Sequence, residues 1–136
     1  MDTKLARTIL YIEDDPEMID LVTLILSRRG FTVKGAQGGR QGLDLLTVET
    51  PDLILLDLMM PDMDGWDVFQ QIKGNALSQK IPVVIITAKS QMIDKVLGLH
   101  IAGVDDYICK PFHPQELWDS VERIFARQDQ PTDPAE

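Results

Sequence analysis

The feature that most constrains the fold is a short apolar run, Leu53-Ile-Leu-Leu56, that ends directly at the carboxylate of Asp57. A strand without polar alternation is typical of a parallel sheet that is covered on both faces. Open α/β sheets bind their ligands outside the carboxyl ends of the strands, which is where Asp57 would lie. The next residues, from Pro61 to Gly65, are rich in turn and cap residues, so the chain leaves the sheet there. Asp57 is therefore the first candidate functional residue.

Four further apolar runs accompany this one, and helical patterns lie between and after them. Alternating strands and helices with short connections predict a parallel sheet with helices on both faces. The second run alternates apolar and polar residues, which suits an edge strand. The five predicted strands are residues 9–12, 31–33, 53–56, 83–86 and 107–109.

Apolar residues at helical spacing predict five helices. The first has Asp15 as its N-cap, Pro16 at its first position and Gly30 as its stop signal. The third begins at Asp64 or Gly65, and the glycine-rich segment 38–42 is interpreted as the turn into the second helix. The residues expected on helical faces toward the core are Met18, Leu21, Val22, Ile25, Leu26, Leu43, Leu45, Leu46, Trp66, Phe69, Ile72, Ile93, Val96, Leu97, Leu117, Val121, Ile124 and Phe125.

Size and charge narrow the functional classes. The 136 residues fit one domain, and 22 acidic against 13 basic residues give a net charge of −9, which argues against nucleic-acid binding by this domain. No segment has the length of a membrane span or an apolar signal core, so we expect no membrane contact and a cytoplasmic location. Cys109 has no partner cysteine and is interpreted as a small core residue, whereas Trp118 is expected on the exposed side of the last helix.

Polar side chains recur where the predicted strands end. Because the carboxyl ends of parallel strands lie at one edge of a sheet, we expect these side chains to share one crevice. Crowded carboxylates repel one another, and a hard cation such as Mg²⁺ relieves that repulsion. A carboxylate nucleophile beside a metal, a hydroxyl and an ammonium group indicates transfer of a phosphoryl group. The candidate residues are Glu13, Asp14, Asp57, Thr87 and Lys110.

The motifs around these residues occur in a characteristic order. They are Glu13-Asp14 after Ile9-Leu-Tyr-Ile, Asp57 in Leu-Leu-Asp-Leu-Met-Met-Pro, Thr87-Ala88, and Lys110-Pro111-Phe112. Together they make the chain resemble the receiver domain of response regulators in two-component signalling, over about residues 7–127. The resemblance implies a flavodoxin-like (βα)5 doubly wound sandwich with a five-stranded parallel sheet of order 2-1-3-4-5.

The resemblance also implies residue roles at the acidic end of the crevice. Asp57 would be the phospho-acceptor. Asp14 and Asp57 would bind Mg²⁺ directly, together with the backbone carbonyl of Met59, and Glu13 would act mostly through water.

A second group of roles concerns the phosphoryl group and the switch. Thr87 and Lys110 would contact the phosphoryl group, and Tyr107 matches an aromatic residue that moves inward on activation in the family. The Lys110–Pro111 peptide bond is expected to be cis.

The function that the resemblance implies is a signalling switch. A sensor histidine kinase or a phosphotransfer protein would phosphorylate Asp57, and the surface of the fourth helix, fifth strand and fifth helix would then change to control an unknown downstream effector. A homodimer through the same surface is a further expectation. The protein would not be an enzyme beyond assisting its own Mg²⁺-dependent phosphorylation and dephosphorylation.

The sequence also predicts domain boundaries, and it departs from the usual pattern of receiver domains in two places. Residues 1–6 are expected to be an N-terminal extension, 7–127 the receiver domain, and 128–136 a disordered tail or a linker stump. Whether the chain is a stand-alone receiver or a fragment of a longer regulator stays open. The segment from Gly98 to Asp106 is about one residue longer than is usual in the family. In the family, the positions of Met59 and Lys89 tune the access of water to the phosphoaspartate, so the resemblance implies that Met59 slows dephosphorylation.

Three alternatives were weighed against this function. A phosphatase of the haloacid dehalogenase type needs an acid two residues beyond its nucleophile, where this chain has Met59. A flavodoxin-like cofactor carrier would place a phosphate beside Glu13, Asp14 and Asp15, which would repel it. A degenerate receiver that acts only by binding other proteins lacks the acceptor or the metal-binding acids, which this chain retains.

Overall fold

The computed structural model describes residues 7–88 and 103–129. The fourth predicted helix, Lys89 and most of the lengthened segment before Asp106 lie outside these ranges. In the described ranges the helices and strands are β1 (Thr8–Ile12), α1 (Pro16–Ser27), β2 (Thr32–Ala36), α2 (Gly39–Leu45), β3 (Leu53–Leu56), α3 (Gly65–Gly74), β4 (Val83–Ala88), β5 (Asp106–Lys110) and the C-terminal helix (Pro114–Asp129).

The five strands form one parallel sheet in the order β2-β1-β3-β4-β5, which confirms the predicted topology. Side chains alternate between two apolar cores along each central strand. Ile9 and Tyr11 face the core formed with α1 and the C-terminal helix, whereas Leu10 and Ile12 face the core formed with α3. All four residues of β3 are fully buried, as the apolar run predicted. The edge position of β2 is also confirmed.

Helix α1 begins and ends as predicted. The Asp15 side chain accepts a hydrogen bond from the backbone N–H of Glu17, Pro16 is the first helical residue, and Gly30 has a positive φ of 89°. The prediction that Leu21 is buried is wrong, because its exposed fraction is 46%. Since α1 buries the narrow stripe of Val22, Ile25 and Leu26, Leu21 falls about a quarter-turn to one side of the stripe.

Two predictions about side-chain burial also need correction. Trp118 is half-buried against the core: its indole N–H donates to the carbonyl of Ile25 at 2.8 Å, and the Arg29 guanidinium covers its ring. An indole that bridges two helices in this way satisfies its polar atom while burying its rings. Cys109 is half-buried in β5, because this strand closes the sheet on one side.

The start of α3 packs directly on the backbone of the acceptor region. Asp64 caps the helix by accepting from the N–H of Trp66 at 2.8 Å, and the Gly65 N–H donates to the Leu58 carbonyl at 2.9 Å. A Cβ atom on Gly65 would lie 2.4 Å from Leu58 Cα and 2.5 Å from the Asp57 carbonyl oxygen. Only glycine permits this approach, which fixes the backbone just after β3.

The loop between β3 and α3 also holds the start of α2. The Asp62 carboxylate accepts hydrogen bonds from the N–H groups of Gly39 and Arg40, at 3.1 and 3.0 Å. Gly38 precedes them with a φ of 108°. The interpretation of segment 38–42 as a turn before the helix therefore needs correction: Gly38 is the N-cap of α2, and residues 39–42 already form its first helical turn.

The two ends of the described chain meet at the edge of the sheet where β1 begins. Arg7 forms an ion pair with Asp129 and lies over the ring of Phe125, 4.4 Å from its centroid. The C-terminal helix thus includes residues 128 and 129, which the sequence analysis assigned to the tail. Among the described residues, no helix has the length and apolar character needed to cross a membrane.

We predict that Gly65→Ala lowers the free energy of unfolding by about 1–3 kcal/mol, because its methyl group would overpack against backbone atoms that cannot move aside. Urea unfolding monitored by circular dichroism measures this change. Gly74→Ala is the matched control, because Gly74 lies in the same helix and a Cβ atom there would meet no atom within 4 Å. Equal stability changes in the two variants would contradict the close-approach argument.

Candidate functional site

The alternation of side chains along the strands brings three candidate residues to one face of the sheet. Tyr11, Leu55 and Ile108 are buried in the core beside α1 and the C-terminal helix. Each of these core residues is followed two positions later by a charged residue: Glu13, Asp57 and Lys110, respectively. Side chains two positions apart along a strand point to the same face. These three therefore emerge on the same face, at the carboxyl edge of the sheet.

The charged groups at this edge are in contact. The Lys110 ammonium lies 2.5 Å from Glu13 Oε1 and 3.6 Å from Asp57 Oδ2. Carboxylate oxygens of Glu13, Asp14 and Asp57 all lie within 4.8 Å of one another. Glu13 and Asp57 are only 2% and 4% exposed. The structure therefore brings the acids and the lysine together at this edge, as the sequence predicts.

Thr87 is fully buried at the end of β4, where it pairs with Cys109 in the register of β5. Its hydroxyl has no hydrogen-bond partner among the residues that the structure describes. A buried hydroxyl without a partner is costly, so this atom is suited to donate to a ligand that enters the site.

Tyr107 does not join the cluster. It lies near the start of β5, opposite Ile85, and its exposed fraction is 48%. Its role as an inward-moving switch residue therefore stays a prediction.

One residue at the site was missed by the sequence analysis. The fully buried Tyr11 hydroxyl donates to Glu13 Oε1 at 2.9 Å. The signal in the sequence is a polar-tipped residue two positions before Glu13 in a buried strand, where side chains i and i+2 share a face.

Burial and charge shift the protonation equilibria of the acids. Burial raises the pKa of Asp57 to about 6; the Lys110 charge opposes this shift and Glu13 adds to it. Burial alone would raise the pKa of Glu13, but its hydrogen bond to Lys110 and the charge of that lysine outweigh burial, and the pKa is lowered. Burial and then Glu13 raise the pKa of Asp14. Burial, followed by Glu13, raises the pKa of Tyr11 above its ordinary value, so its hydroxyl stays a donor.

The donor set fits a magnesium ion. Three carboxylates, one of them half-buried and open to solvent, provide the hard oxygen ligands that Mg²⁺ prefers, and Asp14 is the half-buried one. The raised pKa of Asp57 reflects chiefly the cost of burying a charged carboxylate, which the Lys110 charge offsets only in part and the Glu13 charge increases. A divalent cation would compensate it.

Comparison with known proteins assigns the family. Residues 9–122 match the family model described as the response regulator receiver domain. The chain therefore belongs to the receiver domain family of response regulators, which are signalling proteins and generally not enzymes. Receiver domains bind Mg²⁺ at an acidic pocket, in keeping with the cluster of acids described above.

Curated relatives share about two fifths of their residues with this chain over the matched region. The DNA-binding response regulator MtrA of Mycolicibacterium smegmatis is 42% identical over 127 residues, covering 93% of this chain and 52% of the relative. The DNA-binding dual master transcriptional regulator RpaA of Synechocystis sp. is 40% identical over 121 residues, covering 89% and 50%. The chain spans about half the length of the curated relatives it matches.

Solved structures agree with the fold. The signal receiver domain of a signal transduction histidine kinase from Syntrophus aciditrophicus has a TM-score of 0.83 and 32% identity, and the match covers 94% of this chain and 96% of that chain. A CheY-like response regulator receiver domain protein from Methanospirillum hungatei has a TM-score of 0.82 and 27% identity, with 91% and 97% covered.

The raised pKa of Asp57 predicts how stability depends on pH. Because the folded state binds the Asp57 proton more tightly than the unfolded state, whose ordinary pKa is 3.8, stability contributed by this group falls as the pH rises from about 4 to about 6. We therefore expect Asp57→Asn to raise the free energy of unfolding by about 1–3 kcal/mol near pH 7.5 without metal, and to change it much less near pH 4. Urea unfolding in EDTA at both pH values measures the difference.

The control is Asp62→Asn in the neighbouring loop. Hydrogen bonds from the Arg40 and Gly39 N–H groups lower the pKa of Asp62, so this variant should lose stability near pH 7.5. A stability loss in Asp57→Asn near pH 7.5, like the loss expected for Asp62→Asn, would contradict the account in which burial of the ionised Asp57 carboxylate, increased by the Glu13 charge, destabilises the fold.

Proposed function

We propose that this chain is a phosphorylation-dependent signalling switch in which Asp57 accepts a phosphoryl group from a histidine kinase or a phosphotransfer protein. The observation that carries the proposal is the environment of Asp57. Its carboxylate is nearly buried at the end of β3, 3.6 Å from the Lys110 ammonium and within 4.8 Å of two other carboxylates.

The proposed transfer is a displacement at phosphorus. A carboxylate oxygen of Asp57 attacks the phosphorus atom of a phosphohistidine donor, a new O–P bond forms, and the N–P bond breaks with its electron pair going to the imidazole. The Lys110 ammonium is close enough to Asp57 to contact the phosphoryl oxygens after the transfer and to stabilise their negative charge. Thr87 contributes its hydroxyl as a donor, since this group has no hydrogen-bond partner within residues 7–88 and 103–129.

Magnesium is the proposed cofactor. Asp14, Asp57 and the backbone carbonyl of Met59 are the proposed direct ligands, and Glu13 is proposed to act mainly through water. A bound Mg²⁺ supplies charge compensation for the phosphoryl oxygens and for the crowded acids.

The output of the switch is proposed to be a change in surface. A phosphoryl group adds negative charge at Asp57, which draws Thr87 toward it and lets Tyr107 move inward from its half-exposed position. These residues lie on β4 and β5, so the change reaches the surface formed by the segment before β5, β5 itself and the C-terminal helix. That surface is proposed to control the downstream partner and to pair two copies of the chain.

The bounds of the receiver domain and its cellular location are also proposed. The proposed receiver domain covers residues 7–127, and its C-terminal helix continues to Asp129. Its proposed location is the cytoplasm, where its single cysteine would stay reduced. DNA binding is stated in the names of the curated relatives, and this chain matches only half of their length. The net charge of −9 disfavours direct contact of this segment with nucleic acid.

Incubation with acetyl phosphate tests the acceptor. We expect intact-mass analysis to find one added phosphoryl group on the wild-type chain when magnesium is present, and at least a tenfold smaller yield without magnesium, since the acids then repel the donor. Asp57→Asn should gain none, whereas the loop control Asp62→Asn should gain one. Phosphorylation of Asp57→Asn to the wild-type extent would contradict the assignment of the acceptor.

The lifetime of the phosphoryl group tests the role of Met59. Its side chain is 56% exposed, two residues from the acceptor, and an apolar group there gives water no hydrogen-bond partner. We expect Met59→Asn to lose the phosphoryl mass several-fold faster. Leu77→Asn, which replaces another exposed apolar residue in the loop after α3, is the control and should match the wild type. An unchanged decay rate in Met59→Asn would overturn this role.

A further inference from the structure

The phenol of Tyr11 is fully buried near the carboxyl end of the central strand β1. Its ring is part of the core beside α1 and the C-terminal helix, a place that phenylalanine or leucine would also fill. The hydroxyl adds a polar atom to that core, and such an atom needs a hydrogen-bond partner. The partner is Glu13, whose Oε1 accepts the bond at 2.9 Å.

Glu13 accepts from three donors of different mobility. The Tyr11 hydroxyl and the Lys110 ammonium both donate to Oε1, and the Asp15 N–H donates to Oε2 at 3.2 Å. Lys110 is carried on a flexible four-carbon stem and also lies 3.6 Å from Asp57. Tyr11 is held by a fully buried ring on a central strand, and the Asp15 N–H belongs to the backbone.

These donors differ in what happens when a phosphoryl group arrives. Lys110 has two carboxylate neighbours, so charge added at Asp57 draws its ammonium away from Glu13. Of the donors to Oε1 in the part of the chain that the structure describes, Tyr11 then remains. A carboxylate has about four lone-pair sites, so this bond leaves room for a metal or a metal-bound water.

We infer that Tyr11 is a positioning residue for the magnesium site: its buried hydroxyl fixes the Glu13 carboxylate in the orientation that serves the metal. This inference rests on the proposed function, because it assumes that Asp14 and Asp57 bind the ion directly and that Glu13 contributes mainly through a metal-bound water. Groups that orient metal-binding carboxylates contribute about 10–100-fold to metal affinity.

The test is a magnesium titration by calorimetry of the unphosphorylated protein. Tyr11→Phe removes only the hydroxyl, and we expect it to weaken Mg²⁺ binding about tenfold. Ser78→Ala is the matched control, because it removes another buried hydroxyl, which donates to the Ile72 carbonyl at 2.7 Å far from the acids. This control should bind Mg²⁺ within about twofold of the wild type.

A double-mutant cycle separates positioning from general loosening of the fold. If Tyr11 acts through Glu13, then Tyr11→Phe should have no further effect on Mg²⁺ affinity in a Glu13→Gln background. Wild-type affinity in Tyr11→Phe, or an equal loss in both backgrounds, would overturn the inference while leaving the proposed function intact. Absence of Mg²⁺ binding by the wild type would overturn the proposed metal site itself, and the inference with it.

Discussion

An ammonium group shared between two nearly buried carboxylates organises the functional edge of this molecule. Lys110 contacts Glu13 closely and Asp57 more loosely, and the acids on which it acts come from β1 and β3. Isolated acids at such burial would be expensive to ionise, and removal of one partner of a buried pair leaves the other uncompensated. The one lysine compensates Glu13 better than Asp57, which is why the pKa values of these two carboxyls shift in opposite directions.

The sheet supplies the geometry in which this compensation works. Each of the strands β1, β3 and β5 buries a core residue on one face and then delivers a charged residue to the same face two positions later. Helix α3 then fixes the backbone after β3 through the close approach of Gly65. The alternation of side chains along the strands therefore determines both which residues fill the core and which face the charged groups share.

Much of this could be predicted from the sequence. The apolar runs, the caps at Asp15 and Asp64 and the polar residues at strand ends are local signals, and they predicted a parallel sheet with helices on both faces. The resemblance to receiver domains supplied the strand order and the cis bond before Pro111. Burial at the margins of a helix face was harder to predict. Leu21 and Trp118 lie at such margins, where helical spacing alone does not decide whether the side chain is buried or exposed. The hydrogen bond from Tyr11 to Glu13 was missed because tyrosine in an apolar run is indistinguishable by hydrophobicity from its neighbours.

The contact between Arg7 and Asp129 has a mechanical consequence for the molecule. The C-terminal helix starts a few residues after Lys110 and ends beside the start of β1, so a single rod of 16 residues, about 24 Å long, runs the full height of the sheet. Rigid secondary elements can carry coupling between distant sites, so a tilt of the first turn of this helix would be felt at its last turn. The acidic crevice and the opposite rim of the sheet thus lie at the two ends of one continuous helix.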